Sequence, residues 1–149
     1  MAGLPPRTRM LGLDVGERRI GVAVSEGRIA VPLMIVEHRS RAEDLERVAT
    51  IAREQEAGLV VVGLPLLMSG DEGEQARRTR RFGDALARRV AVPVTYQDER
   101  FTTVQATEAV TAMPTRKRRR MRVDDHAAAV ILQAYIDEQA MRPVRERAT

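Results

Sequence analysis

Alternation of apolar and polar positions divides the start of the chain into three short strands. The apolar runs are 10–15, 20–24 and 28–36. The links between them contain Gly16 and Gly27, and short links with glycine are typical of β-hairpins. Pro32 has no backbone N–H to donate, so its strand is expected at an edge of the sheet. The chain is therefore predicted to begin with an antiparallel meander.

After residue 40 the pattern changes to alternating helices and strands. Ser40 and Glu43 have the spacing of a capping box, which predicts a helix that begins there and runs to about Ala57. Gly58 follows at a position typical of a helix end. The next run, Leu59–Val62, is apolar without alternation, as in a strand covered on both faces. The remaining predicted elements are a helix at 74–90, a strand at 93–97, and helices at 102–112 and 124–141.

The order β-β-β-α-β-α-β-α-α predicts an α/β fold, a five-stranded mixed sheet flanked by helices. The strand with Pro32 is expected at one edge and the Leu59–Val62 strand at the centre. A length of 149 residues indicates a single domain over 1–149. The segments expected to be mobile are a leader at 1–9, a basic loop at 113–123 and a tail at 142–149.

Composition limits the cellular setting. No apolar run approaches the roughly 18 residues that a membrane span requires, and the N-terminus lacks a signal-peptide pattern, so we expect a cytoplasmic protein with no membrane partner. The absence of cysteine excludes disulfides and thiolate metal sites. Net charge is only +4, but the sequence pI is about 10.5. Clustered arginines at 77–81, at 116–122 and in the tail indicate a polyanionic partner such as nucleic acid.

Nucleic acid would be bound mainly through its phosphates, because aromatic residues are only 3% of the chain and Trp is absent. Basic runs of this kind are otherwise ordinary solvated surface. The expected phosphate contacts are Arg77, Arg78, Arg81, Arg100, Arg116, Lys117, Arg118, Arg119, Arg120 and Arg122.

Three acidic residues follow elements whose ends would meet at one edge of such a sheet. Asp14 ends the first strand, Glu99 follows the fifth, and Asp124 begins the last helix. Close carboxylates repel one another unless cations neutralise them, and Mg²⁺, with Mn²⁺ as a substitute, prefers carboxylate oxygen. The secondary candidates are Asp125 and His126; His126 could act as a base or be an ordinary surface histidine.

Each acid also has a purely structural interpretation. Asp14 could start a turn by accepting backbone N–H groups. Glu99 could form an ion pair with Arg100 or another arginine. Asp124 and Asp125 could complement the dipole of the last helix.

Four segments, in this order, resemble motifs of the YqgF/RuvX family within the RNase H-like superfamily. They are 11–16 with 20–25, 61–66 with Met68, Gly70 and Gly73, 98–103, and Val123–Asp124 with the apolar positions up to 132. Together they span residues 10 to about 136. One departure is Ser69, where relatives often carry an acidic or amide residue.

The resemblance implies an RNase H-like fold with Asp14, Glu99 and Asp124 as the acidic triad, and it prefers Asp124 to Asp125. It implies a two-metal, Mg²⁺-dependent nuclease that trims the 5′ end of precursor 16S ribosomal RNA in the cytoplasm. The alternative within the superfamily is a Holliday junction resolvase, which would act on branched DNA as a symmetric homodimer.

Two further function classes stay open. The hairpin around Asp14 and Gly16 also resembles the phosphate loop of actin-like ATPases and sugar kinases, but those proteins require a second domain for which this chain has no room. A ribosome-assembly protein that binds RNA without cleaving it would retain the basic surface and show no Mg²⁺-dependent activity.

Overall fold

The computed structural model describes residues 8–101 and 126–141. The strands are β1 (Met10–Val15), β2 (Arg19–Glu26), β3 (Ile29–Glu37), β4 (Leu59–Leu64) and β5 (Val94–Asp98). The helices are α1 (Arg41–Glu54), α2 (Glu74–Ala87) and α3 (Ala127–Met141), and a 3₁₀ turn, Glu99–Phe101, follows β5.

The five strands form one mixed sheet in the order β3-β2-β1-β4-β5. β1–β2 and β2–β3 pair antiparallel, whereas β1–β4 and β4–β5 pair parallel. The predicted mixed sheet is confirmed, and so is the edge position of Pro32, which pairs with Ala23 beside a register shift. The strand predicted as central, Leu59–Val62, is a fully buried interior strand between β1 and β5, although β1 rather than β4 is the middle strand.

Local signals predict the start of α1 better than its end. Ser40 accepts a hydrogen bond from the Glu43 N–H at 3.1 Å, which confirms the cap. The helix ends at Glu54, three residues earlier than predicted, and the left-handed residue that reverses the chain is Glu56 (φ 54°) rather than Gly58. α2 likewise ends at Ala87, before the predicted residue 90.

Strand alternation gives the sheet two buried faces. On one face Leu13 and Val62 pack in the same apolar cluster as Val48 of α1 and Leu86 of α2. On the other face α3 covers the sheet, and its Leu132 is fully buried. Because alternate residues of a strand point to opposite faces, the even-numbered positions of β1 lie under α3.

Glycines let α3 approach that second face closely. A Cβ added to Gly12 would lie 2.7 Å from Leu132 Cβ and 3.1 Å from the Ala128 carbonyl oxygen. A Cβ on Gly63 would lie 2.5 Å from Ile131 Cδ1. The backbone of α3 therefore rests against the sheet at positions where a side chain would push it away.

The amide of Gln133 fixes α3 to the β2–β3 hairpin. Its Oε1 accepts the Ala30 N–H at 2.9 Å, and its Nε2 donates to the Arg28 carbonyl at 3.0 Å and to Asp137 Oδ1 at 3.1 Å. The Gln133 side chain is buried, so these bonds satisfy polar groups that water does not reach.

Several predicted segments lie outside the described residues. They are the leader apart from Thr8 and Arg9, the helix at 102–112, the basic loop at 113–123, the first residues of the last helix and the tail at 142–149. The Arg9 carbonyl accepts the Gly58 N–H at 2.8 Å, so this end of the predicted leader is bound to the β4 side of the sheet. Within the described ranges, no helix combines the length and apolarity that a membrane crossing requires.

Candidate active site

Asp14 lies near the carboxyl end of β1, on the face that α3 covers. It pairs with Gly21 of β2 and is only partly buried, whereas its neighbour Leu13 is fully buried on the opposite face. A Cβ on Gly21 would lie 3.7 Å from Asp14 Cβ and 3.5 Å from Ala128 Cβ. Gly21 thus leaves space beside the Asp14 side chain and close to the start of α3.

Glu99 reaches the same edge of the sheet from the other side. Since β1, β4 and β5 are parallel, their carboxyl ends lie together. Glu99 follows β5 directly, and its carboxyl carbon would be 3.2 Å from a Cβ on Gly63 of β4. Gly63 therefore leaves room at the end of β4 for the Glu99 carboxyl group.

Asp14 and Glu99 lie close enough for their negative charges to repel each other. Burial, and then the negative charges of Asp14 and Asp98, together raise the pKa of Glu99 to about 7. A carboxyl group with this pKa, next to a second acid at the end of parallel strands, is typical of a functional position rather than of a turn.

The arginine next to Glu99 binds a different acid. Arg100 Nη2 lies 2.8 Å from Asp98 Oδ2, and Arg100 Nε donates to both Asp98 oxygens at 3.1–3.2 Å. These hydrogen bonds hold the pKa of Asp98 below its usual range. Asp98 is therefore the carboxylate that the arginine neutralises.

The third predicted acid, Asp124, and the secondary candidate Asp125 lie outside the described residues. His126 is described and is half-buried; its carbonyl accepts the Val130 N–H at 2.9 Å, so it precedes the first turn of α3. Its Nδ1 is buried and has no hydrogen-bond partner among the described residues. Residues 8–101 and 126–141 contain no group of three acids or histidines that could bind a metal ion. Of the three predicted carboxylates, Asp14 and Glu99 lie within these ranges.

The predicted basic residues of α2 lie on its surface and pair with acids. Arg78 binds Glu17 of the β1–β2 link at 2.8 Å, while Arg77 and Arg81 lie 3.4 and 3.7 Å from Glu74. These exposed pairs contribute little to stability and can exchange partners easily. The other predicted phosphate contacts, Arg116, Lys117, Arg118, Arg119, Arg120 and Arg122, lie outside the described residues.

Sequence reasoning missed the glycines that shape this edge and the role of Asp98. Gly63 is an isolated glycine inside an apolar strand, which is a recognisable signal of close approach, whereas Gly21 has only ordinary contact distances around it. Asp98 carries no such signal, since only the structure shows which of two consecutive acids faces the arginine.

Removal of the Glu99 charge should stabilise the metal-free protein in a pH-dependent way. The pKa of Glu99 is about 7 when folded and near 4.5 when unfolded, so its ionisation destabilises the fold increasingly as pH rises from about 4.5 to above 7. The free energy of unfolding of Glu99→Gln minus that of the parent should be about 1–2 kcal/mol larger at pH 8 than at pH 5. Urea denaturation in the presence of a chelator measures both values.

Glu46→Gln removes one charge from an exposed position of α1 and controls for net charge. A Glu99→Gln variant that gained nothing between pH 5 and pH 8 would contradict the burial and repulsion described for Glu99.

The sequence is similar to proteins of one known family. The family profile described as "RuvX: Holliday junction resolvase" matches residues 8–138. A protein of Anaeromyxobacter sp. named "Putative pre-16S rRNA nuclease" is 48% identical over 132 residues, covering 87% of this chain and 96% of that protein. A protein of the same name from Thermoanaerobacter pseudethanolicus is 40% identical, covering 88% and 97%.

Solved structures show the same fold at low identity. Thermus thermophilus RuvC in complex with a Holliday junction substrate is 18% identical, with a TM-score of 0.60 and coverage of 90% of this chain and 96% of that one. The yeast mitochondrial Holliday junction resolvase is 12% identical, with a TM-score of 0.54 and coverage of 92% and 81%. The predicted RNase H-like architecture is thereby confirmed.

Proposed function

The chain belongs to the RuvX family, and on that premise we propose that it is a metal-dependent nuclease that processes the 5′ end of precursor 16S ribosomal RNA in the cytoplasm. The observation that carries this proposal is the approach of Asp14 and Glu99 at the carboxyl ends of parallel strands, where burial and repulsion raise the pKa of Glu99 to about 7. The name shared by relatives at 40–48% identity supports RNA as the substrate.

The described residues fit a hard divalent cation. Two carboxylates that repel each other in a partly buried position gain stability from a bound cation, and carboxylate oxygens are the ligands that Mg²⁺ prefers. Asp14 and Glu99 would bind Mg²⁺, or Mn²⁺ as a substitute, and Asp124 is proposed as the third ligand. When bound, the metal supplies positive charge that stabilises the transition state of phosphodiester hydrolysis.

The exposed arginines of α2 would bind and orient the nucleic acid. Arg77, Arg78 and Arg81 lie on the exposed surface of α2, and Arg78 is bound to Glu17, three residues after Asp14. A phosphate oxygen can replace a surface carboxylate as the partner of an arginine at little cost. We therefore assign these arginines to the backbone of structured RNA.

A Holliday junction resolvase is the second candidate, favoured by the description of the family profile. It would use the same acids on branched DNA, and it would act as a homodimer because two strands must be cut symmetrically. The substrate, rather than the site, distinguishes this candidate from the first.

Side-by-side cleavage tests both candidates. The purified chain is incubated with precursor 16S RNA carrying a 5′ extension and with a four-way DNA junction, in Mg²⁺, in Mn²⁺ and with chelator. We expect removal of the RNA extension in Mg²⁺ or Mn²⁺, no cleavage with chelator, and junction cleavage at least about tenfold slower. Faster symmetric cleavage of the junction would favour the resolvase. RNA binding without any metal-dependent cleavage would overturn the nuclease proposal.

A further inference from the structure

Asp98 and Arg100 form a closed set of contacts around Glu99. Asp98 Oδ1 accepts the backbone N–H of Arg100 at 2.9 Å, and the two Asp98 oxygens accept hydrogen bonds from the Arg100 guanidinium at 2.8–3.2 Å. Glu99 is the residue between these two partners in the sequence. Because both backbone and side chain of Arg100 bind the same carboxylate, the chain on each side of Glu99 is held in one conformation.

The same guanidinium binds the segment between β4 and α2, residues 65–73, which we call the β4–α2 loop. Arg100 Nη1 donates to the Met68 carbonyl at 3.1 Å. A Cβ on Gly70, whose φ is +96°, would lie 3.4 Å from Nη1, so the guanidinium lies against the loop backbone. Within the loop, the Gly70 N–H donates to the Leu67 carbonyl at 2.8 Å, and the Leu67 N–H donates to the Asp71 backbone carbonyl at 2.9 Å. Arg100 thus joins an ordered loop to the turn that carries Glu99.

Exposure separates Arg100 from the arginines of α2. The Arg100 side chain is 20% exposed, against 55% for Arg81 and 54% for Arg77. All three guanidinium nitrogens of Arg100 already bind groups of the protein, since Nε and Nη2 donate to Asp98 and Nη1 donates to the Met68 carbonyl. Replacement of those contacts by a phosphate would remove the arginine that pairs with Asp98, a carboxylate whose charge already acts on Glu99.

We propose that Arg100 is a positioning residue, which acts through Asp98 and the Met68 carbonyl to hold Glu99 and the β4–α2 loop in place and does not bind substrate phosphate. This inference rests on the nuclease function proposed above. It replaces the expectation, from charge alone, that Arg100 belongs to the phosphate-binding set. It also gives the segment around Ser69 a role, since Arg100 joins this loop to the turn that carries Glu99.

The test uses two substitutions that affect the pair from opposite sides. Arg100→Lys keeps the positive charge and loses the multiple hydrogen bonds, whereas Asp98→Asn keeps the arginine and removes its ionic partner. We expect both variants to exchange the amide hydrogens of Leu67 and Gly70 about tenfold faster than the parent. Both should lower kcat for RNA cleavage at least about tenfold, with KM and the salt dependence of RNA binding unchanged.

A phosphate contact predicts a different pattern. Asp98→Asn would then release the guanidinium and preserve or strengthen RNA binding, while Arg100→Gln would lower the slope of log K against log salt by about 0.9 with normal amide exchange. That pattern would overturn the proposal, and so would Arg100→Lys with parental exchange and kcat. Arg81→Gln provides the comparison, because loss of an exposed phosphate contact should lower the salt slope without changing exchange in the loop.

Arg89→Lys is the matched control. Arg89 also forms an ion pair of 2.8 Å, with Glu46, but the pair joins the end of α2 to α1 away from the acids, so all readouts should stay at parental values. If the parent itself cleaved no RNA, the nuclease proposal would fail. Amide exchange in Arg100→Lys and Asp98→Asn would still test whether Arg100 holds the loop in place.

Discussion

Asp14→Asn is expected to reduce kcat for RNA cleavage by at least about 10²–10³-fold while the protein stays folded. Asp14 lies at the end of the middle strand, and its charge contributes to the repulsion that raises the pKa of Glu99. The amide keeps the shape of the side chain but cannot supply the negative charge that a divalent cation requires. Single-turnover cleavage at saturating Mg²⁺ measures the loss.

Stability separates this expectation from simple unfolding. Asp14→Asn relieves repulsion of Glu99, so with chelator its free energy of unfolding should equal or exceed that of the parent. Mg²⁺ should raise the melting temperature of the parent and have a much smaller effect on the variant. Glu46→Gln, which removes one charge from exposed α1, is the control that should cleave normally. Cleavage by Asp14→Asn at the parental rate would show that Asp14 is not part of the site.

Gly12→Ala should destabilise the fold by about 1–3 kcal/mol through overpacking under α3. The new Cβ would lie 2.7 Å from Leu132 Cβ and 3.1 Å from the backbone oxygen of Ala128, so rotation of a flexible side chain cannot relieve the contact. The helix must move away from the face that carries Asp14, and we expect cleavage to fall as well. Urea denaturation measures the loss in free energy of unfolding.

Gly21→Ala is the matched control for this substitution. It places the same methyl group on the same face, but 3.5 Å from Ala128 Cβ and 3.7 Å from Asp14 Cβ, which are ordinary contact distances. Since alanine also restricts the unfolded chain, Gly21→Ala should be neutral or slightly stabilising. Equal losses in Gly12→Ala and Gly21→Ala would mean that strand glycines matter for backbone reasons rather than for the approach of α3.

Much of the fold could be predicted because its signals are local. The Ser40 cap depends on residues three apart, and the edge position of Pro32 depends on its missing N–H. Local signals located the end of α1 less accurately. Gly58 suggested the end of α1, yet Glu56 adopts the left-handed conformation, because the chain must turn there to reach β4.

The candidate site was predictable in part for a similar reason. Placing Asp14 and Glu99 at strand ends was sufficient to expect them at one edge once parallel pairing was assumed, and the structure brings them together. The partner of Arg100 was not predictable. Asp98 and Glu99 are both within two residues of Arg100, and the choice between them depends on the direction in which each side chain leaves the end of β5.

The sequence by itself determined the order of the described strands and helices, the edge strand, the capped start of α1 and the family, because each depends on short-range pattern or on motifs retained in order. Only the tertiary structure decided that β1 is the middle strand, that Asp14 and Glu99 meet, and that Asp98 neutralises Arg100. These outcomes depend on contacts between distant segments, whose free energies arise from burial and charge only after the sheet has brought those segments together.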